Sequence, residues 1–192
     1  MNPVELVFFK LVSHEIELLE FEKWVYSESK LEEILSPDDY LELISINYKT
    51  PSGLYEAEKV LSNYFSIGKY YEWNIRNILQ KITDKPNDVH KYIEQCYDLY
   101  CDGFDFMDNL GMGYGLGLTC PDYYNEKVDD YYPQILGEVE KVLEWLDNGK
   151  IVITGHSGEY QGIEYEDNRS VEEKEPTGYK VQESKKWWQF WL

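Results

Sequence analysis

The sequence predicts a mainly α-helical protein, a bundle of about six to eight helices followed by one C-terminal β-hairpin. Apolar residues recur at three- and four-residue spacing through most of the first 148 residues, which is the period of helices with one buried face. After Gly149 the pattern changes to short β-branched segments. The 192 residues, 43% of them hydrophobic, are enough for one continuous core. We therefore expect a single domain over residues 1–192, with the bundle at 1–148, the hairpin at 149–166, and a polar segment with an aromatic tail at 167–192.

The first half of the bundle has clear helix starts. A short helix is predicted at Lys30–Leu35, and Ser36-Pro37-Asp38-Asp39 then begins the next one, because proline in a first turn loses no hydrogen bond. The clearest amphipathic stripe runs from Leu54 to Phe65. Ser52 is its predicted N-cap, and Gly68 is expected to follow its last turn.

The second half contains three further amphipathic stripes. One covers Tyr71–Ile82 and should end before Pro86, because the residue preceding a proline disfavours the helical conformation. The next covers Val89–Tyr100. The last covers Ile135–Leu146 and should stop at Asp147-Asn148-Gly149.

A β-hairpin is predicted after the last long helix. Ile151–Thr154 is a β-branched run, Gly155–Gly158 supplies turn residues, and a second extended segment follows around Ile163. From Glu166 to Lys186 the composition becomes polar, so we expect this piece to be poorly ordered. The chain ends on WWQFWL (187–192). This tail has three interpretations: it folds back over the core, docks on another protein, or contacts a bilayer interface.

A glycine-rich segment, Leu110–Leu118, invites comparison with phosphate-binding loops. Its glycines alternate strictly, so the spacing G-x-G-x-x-G is not met, and no Gly-Lys-Ser/Thr follows. Glycine at every second position instead indicates a structural loop or a close approach of two backbone segments.

The charge is strongly acidic. There are 37 Asp and Glu against 18 Lys and Arg, a formal net charge of −19. Such a surface opposes contact with a phosphate backbone, so a nucleic-acid partner is not expected. It attracts and steers a basic protein. The alternative interpretation is that the excess of acid keeps the protein in solution.

The compartment is predicted from cysteines and apolar stretches. Cys96, Cys101 and Cys120 have no metal-ligand spacing and are interpreted as reduced, buried thiols. The N-terminal residues lack a basic leader with a cleavage site, and no apolar stretch approaches the roughly 18 residues of a membrane span. We expect a cytoplasmic protein without cofactor, metal or stable membrane anchoring.

The candidate partner-binding surface is a stretch in which Asp-Tyr-Tyr occurs twice, flanked by Pro121 and Pro133. Exposed tyrosines give large, rigid contact area, and the surrounding carboxylates suit a partner rich in Lys or Arg. In the alternative interpretation, one tyrosine of each pair packs inward, since adjacent helical residues face different ways. The residues assigned to this surface are Asp122, Tyr123, Tyr124, Glu126, Asp129, Asp130, Tyr131 and Tyr132.

Three upstream carboxylates, Asp102, Asp105 and Asp108, recur every third residue and so are predicted to share one helix face. Their spacing does not fit a calcium loop. They are interpreted as a solvated acidic face or as a second part of the partner surface, to which we assign them. The alternative is a small hydrolase or metal-dependent enzyme that combines these carboxylates with a distant histidine. His14, His90 and His156 lie on different predicted elements, so the sequence predicts no catalytic residue.

A partial family resemblance completes the prediction. Residues Glu20–Tyr26, Leu31-Glu32 and Asp39–Tyr48 resemble the acidic helical immunity-type proteins of bacterial polymorphic toxin systems. The resemblance covers the first third of the chain and carries over no functional residue. It implies an inhibitor that binds and occludes a basic cognate toxin, such as a nuclease. A third hypothesis, from a different class, is an adaptor that docks through its aromatic tail.

Overall fold

The computed structural model describes residues 2–119, 127–157 and 162–175, and these residues form a mainly helical protein. They contain ten α-helices, seven of which have nine residues or more, and a two-stranded antiparallel sheet after the last long helix. The predicted fold class, helices followed by one C-terminal hairpin, is therefore confirmed.

The elements run in the following order. The helices are α1 (Pro3–Val12), α2 (Leu18–Ser27), α3 (Leu31–Ile34), α4 (Pro37–Ser45), α5 (Gly53–Leu61), α6 (Ile67–Asp84), α7 (Val89–Cys101), α8 (Leu116–Thr119), α9 (Gln134–Asp147) and α10 (Val171–Lys174). The strands are β1 (Ile151–Ser157) and β2 (Gly162–Asp167). Short 3₁₀-helices lie at Asp105–Met107 and Val128–Tyr131, and a π-helix lies at Asn109–Gly115.

The chain divides into two compact units, Met1–Asn74 and Ile75–Leu192. The first contains α1 to α5 and the start of α6. The second contains the rest of α6, the later helices and the hairpin. The single domain expected over residues 1–192 stays a prediction.

The core of the first unit is built on aromatic side chains. Phe8 and Phe21 are buried, and both lie against the ring of Trp24, with centroids 5.9 Å and 5.5 Å away. Tyr48 is also buried, and its hydroxyl donates to the carbonyl oxygen of Leu43 at 2.7 Å. The apolar stripes of α1, α2 and α4 therefore meet in one core.

The predicted start of α4 is confirmed, whereas the predicted end of α5 is wrong. The hydroxyl oxygen of Ser36 accepts from the backbone N–H of Asp39 at 3.2 Å, which caps α4. However, α5 ends at Leu61, and Gly68 lies in the first turn of α6 rather than after α5. The intervening Phe65 packs its ring 5.4 Å from that of Phe9, so a contact with α1 interrupts the stripe that appeared continuous in the sequence.

The second unit contains the predicted hairpin, but Gly155, His156 and Ser157, which were expected in its turn, belong to β1. Ile151 pairs with Asp167 and Ile153 pairs with Tyr165, and an irregularity in the register follows Ile153. Ile151 and Ile153 are buried. Tyr165 lies with its ring 5.2 Å from Phe106, so the hairpin packs one face on the core of this unit.

Two arginine–carboxylate pairs also lie in the second unit. Arg76 of α6 donates to Asp147 at the end of α9 at 2.7 Å. Arg169 donates through two nitrogens to both carboxylate oxygens of Asp167, at 3.0 Å and 2.9 Å. The Arg169 side chain is only 6% exposed, and its guanidinium lies 4.5 Å from the ring centre of Trp145.

The glycine-rich segment is helical, which corrects the expectation of a loop. It forms the π-helix and then α8, and the π-helix packs along α7. A Cβ on Gly111 would lie 2.8 Å from the carbonyl oxygen of Cys96, and one on Gly115 would lie 2.8 Å from that of Ile93. The close backbone approach indicated by the glycines is present. Because Gly111 and Gly115 have no side chain, the π-helix can lie directly against the backbone of α7.

Candidate partner-binding surface

The predicted surface is only partly described by the structure. Asp122, Tyr123, Tyr124 and Glu126 lie outside the described residues. The second triplet forms the end of the 3₁₀-helix Val128–Tyr131 and the residue after it. The placement of this triplet can therefore be compared with the expectation.

The two tyrosines of the second triplet point into the protein to different extents. Tyr131 is 1% exposed, and its ring meets that of Tyr114 edge to face at 5.3 Å. Tyr132 is half-buried, and its hydroxyl donates to the carbonyl oxygen of Ile82 at 2.9 Å. Tyr131 is thus a core residue, as in the interpretation that one tyrosine of the pair packs inward.

Two acids here, Asp129 just before the triplet and Asp130 within it, are engaged within the protein. Lys85 donates to Asp129 at 2.9 Å, and this bond holds the pKa of the Asp129 carboxyl below its usual value. The same ammonium lies 4.2 Å from the ring centre of Tyr132. Asp130 accepts from the backbone N–H of Lys127 at 3.0 Å. A basic partner would have to compete with these contacts.

Asp102, Asp105 and Asp108 do not share one helix face, which corrects that expectation. Asp102 caps the end of α7, and Gly103 then takes a φ of +105°, so the chain turns before Asp105 begins the 3₁₀-helix. Asp102 and Asp105 are exposed. Asp108 is half-buried and accepts from the N–H of Asn109 at 2.6 Å, and burial raises the pKa of its carboxyl.

An acidic cleft that the sequence did not predict lies in the second unit, beside α9 and α10. Its volume is about 260 Å³. Glu144 and Glu175, which line it, form no ion pair with any described residue. The cleft is lined by Asn109, Lys141, Glu144, Trp145, Glu172, Glu173 and Glu175.

One wall of the cleft is fixed by Glu173. The indole N–H of Trp145 and the ammonium of Lys150 both donate to the same carboxylate oxygen of Glu173, at 3.3 Å and 2.6 Å. The bond from Lys150, together with the backbone N–H of Ser170, lowers the pKa of Glu173 to about 2. This carboxylate is therefore ionised at neutral pH and anchors α10.

A local signal for this wall was present in the sequence. Ser170 and Glu173 form a capping box at the start of α10, in which each side chain accepts from the backbone N–H of the other residue. The expectation that residues 166–186 are poorly ordered is therefore wrong for Val171–Lys174. The polar composition of the segment predicts disorder, but Ser170 and Glu173 are a local signal for the start of a helix.

The structure gives no support to the metal-dependent enzyme. Within the described ranges, no group of three or more His, Cys, Asp and Glu side chains could hold a metal ion. The described lining of the cleft includes neither a histidine nor any of Asp102, Asp105 and Asp108. His14 and His90 are both exposed. Of the thiols predicted to be buried, Cys96 is buried, Cys101 is exposed, which corrects that prediction, and Cys120 lies outside the described residues. In the described part of the chain, no helix is long and apolar enough to cross a membrane.

Comparison of the chain with family models, curated proteins and solved structures finds no match. We therefore infer the function of the protein from its charge, its surfaces and its fold.

Proposed function

We propose that this protein is an immunity-type inhibitor that binds a basic toxin and covers the surface with which the toxin acts. The observation that supports this most is the excess of carboxylates, a formal charge of −19. Some of these carboxylates, including Glu144 and Glu175 of the cleft, have no ion-pair partner among the described residues. Such a surface raises the rate at which a basic protein is encountered.

The mechanism is occlusion. A toxin that cleaves nucleic acid holds phosphates with lysine and arginine side chains, and the same side chains pair with carboxylates. An inhibitor that occupies them needs no catalytic group, only a complementary acidic surface and apolar contacts that give short-range affinity. It would act in the cytoplasm of the producing cell, where a nuclease finds its substrate.

Co-expression with the product of the adjacent gene tests this function. We expect that product to stop cell growth when expressed alone and to be tolerated when this protein is present. Purified in equal amounts, the two should form a 1:1 complex whose affinity falls as salt concentration rises, because the attraction is between charges.

Two results would contradict the proposal. One is an adjacent gene product that does not affect growth, and the other is toxicity that this protein leaves unchanged. An inhibitor that acts by occlusion should also abolish toxin activity only when it is present at one equivalent per toxin. Inhibition by far less than one equivalent would instead indicate an enzyme that modifies the toxin.

A further inference from the structure

One side of α2 exposes apolar side chains that its core does not use. Leu19, Glu22 and Tyr26 are spaced at i, i+3 and i+7, which places them on one stripe of the helix. The buried stripe is a different one, formed by Phe21 and Val25. Leu19 is 47% exposed and Tyr26 is 62% exposed. The first unit therefore presents a second stripe on α2, with exposed Leu19 and Tyr26 on either side of Glu22.

This stripe continues onto α4. The hydroxyl of Tyr26 donates to the carbonyl oxygen of Ile44 at 3.0 Å, so its ring lies beside the last turn of α4. Leu41 lies one turn earlier on the same helix and is 56% exposed, while Leu43 supplies the buried contact. We name the surface composed of Leu19, Glu22, Tyr26, Leu41 and Glu42 the α2–α4 face.

The α2–α4 face lies in the most one-sidedly charged part of the first unit. Residues 17–42 contain nine Asp and Glu and two Lys. None of the nine carboxylates forms an ion pair with a described residue. Among the described residues their negative charge is therefore not compensated, unlike that of Asp129. An apolar patch rimmed by unpaired carboxylates is complementary to a basic surface with an apolar centre.

We propose that the α2–α4 face is the main docking surface for the basic partner, with Tyr26 and Leu41 as its apolar anchors. This rests on the proposed function, because it names where the partner of that function binds. Tyrosine is enriched among the residues that dominate interface affinity. The bond to Ile44 already restrains the Tyr26 ring, so little side-chain freedom is lost on binding.

The apolar part of the proposal is tested by binding of the purified product of the adjacent gene to the full chain. Tyr26→Ala combined with Leu41→Ala should weaken the complex at least about tenfold, mainly through faster dissociation. Tyr26→Phe keeps the ring but loses the bond to Ile44, so it should weaken the complex much less than the double variant does. Val171→Ala truncates an apolar side chain in the second unit that is more exposed than either, and it should have no effect.

The charged part is tested with two variants that change net charge equally. Glu22→Lys with Glu42→Lys alters the α2–α4 face, whereas Glu164→Lys with Glu166→Lys alters exposed positions on β2. Each raises the formal charge by the same amount. At low salt, the first should slow association about tenfold more than the second, because charges close to the docking surface govern steering.

The outcomes separate this inference from the proposed function. If the wild type does not bind the adjacent gene product, the inhibitor itself is refuted. If the wild type binds, but Tyr26→Ala with Leu41→Ala leaves affinity unchanged, or the two charge variants behave alike, the α2–α4 face is refuted and the inhibitor stands.

All substituted side chains are exposed or half-exposed, so each variant should retain the circular dichroism spectrum and melting temperature of the wild type, which verifies that lost binding is local.

Discussion

Two regions of this protein combine tyrosine with acidic residues, and they differ in whether the tyrosine is buried and whether the acids have ion-pair partners. In the segment Asp129–Tyr132, Lys85 pairs with Asp129, and Tyr131 is in the core. On the α2–α4 face, Tyr26 is exposed, and the surrounding carboxylates have no ion-pair partners among the described residues. Similar compositions therefore give a packed segment in one place and an open surface in the other.

The difference teaches that local composition does not decide whether an acid is available to a partner. Lys85 is distant from Asp129 in the sequence, and only the fold places it there. A carboxylate that already has a cation must exchange it on binding, so it adds less attraction than an unpaired one. Counting acids along the chain cannot make this distinction.

The sharpest test of the comparison is the stability of two tyrosine variants. Tyr131→Ala removes a buried ring and should lower the free energy of unfolding by about 3–5 kcal/mol. Tyr26→Ala removes an exposed ring and should lower it by less than about 1 kcal/mol. Urea denaturation followed by circular dichroism measures both. Equal losses would mean that the two tyrosines do not differ in burial as described.

The packing beneath Tyr131 gives a second, smaller effect. Tyr131 rests on Tyr114 of the π-helix, and Gly111 lets that helix touch the backbone of α7. Gly111→Ala places a methyl group 2.8 Å from a carbonyl oxygen and should lower the free energy of unfolding by about 1–3 kcal/mol.

Gly137 in α9 is the matched control for Gly111. A Cβ at Gly137 meets nothing within 4 Å, so Gly137→Ala should raise the free energy of unfolding by about 0.5–1 kcal/mol through helix propensity. The same substitution is thus expected to have opposite signs at the two positions. A stabilising Gly111→Ala would refute the close contact between the π-helix and α7.

The smallest expected effect is the loss of stability when acid protonates the paired carboxylate of Glu173. The folded pKa of Glu173, about 2, lies below its ordinary value of 4.5, so its bonds to Lys150 and Ser170 stabilise the fold fully above that ordinary value. This contribution is lost as the pH falls from about 4.5 towards 2. Carbon-detected NMR should find Glu173 titrating near pH 2, and Lys150→Met should raise its pKa. A normal titration in the wild type would contradict the described pairing.

The helices and hairpin were predictable where the signal is local. Ser36 before Pro37, the proline at position 86 and the turn at Gly149 each mark an element boundary through chemistry within a few residues. The end of α5 and the helical form of the glycine-rich segment were not predictable in this way. Both depend on contacts with distant residues, Phe65 with Phe9 and Gly111 with Cys96.

The candidate surfaces were less predictable than the fold. Periodicity identifies the apolar side of a helix, but it does not tell how much of that side its neighbours cover. Tyr26 and Leu41, for example, lie in helices that each bury one apolar side, and both are more than half exposed. Tyr131 was assigned to the surface because of its acidic neighbours, although its ring fills the core. Only the packed structure separates these cases.

The arginine pairs of the second unit also limit what this protein can hold. The chain has two arginines, Arg76 and Arg169, and each donates to a carboxylate of the same chain. A guanidinium is the side chain that grips a phosphate with two parallel hydrogen bonds. Here a phosphate group would first have to displace Asp147 or Asp167. The bidentate grip of an arginine on a phosphate is thus already occupied from within.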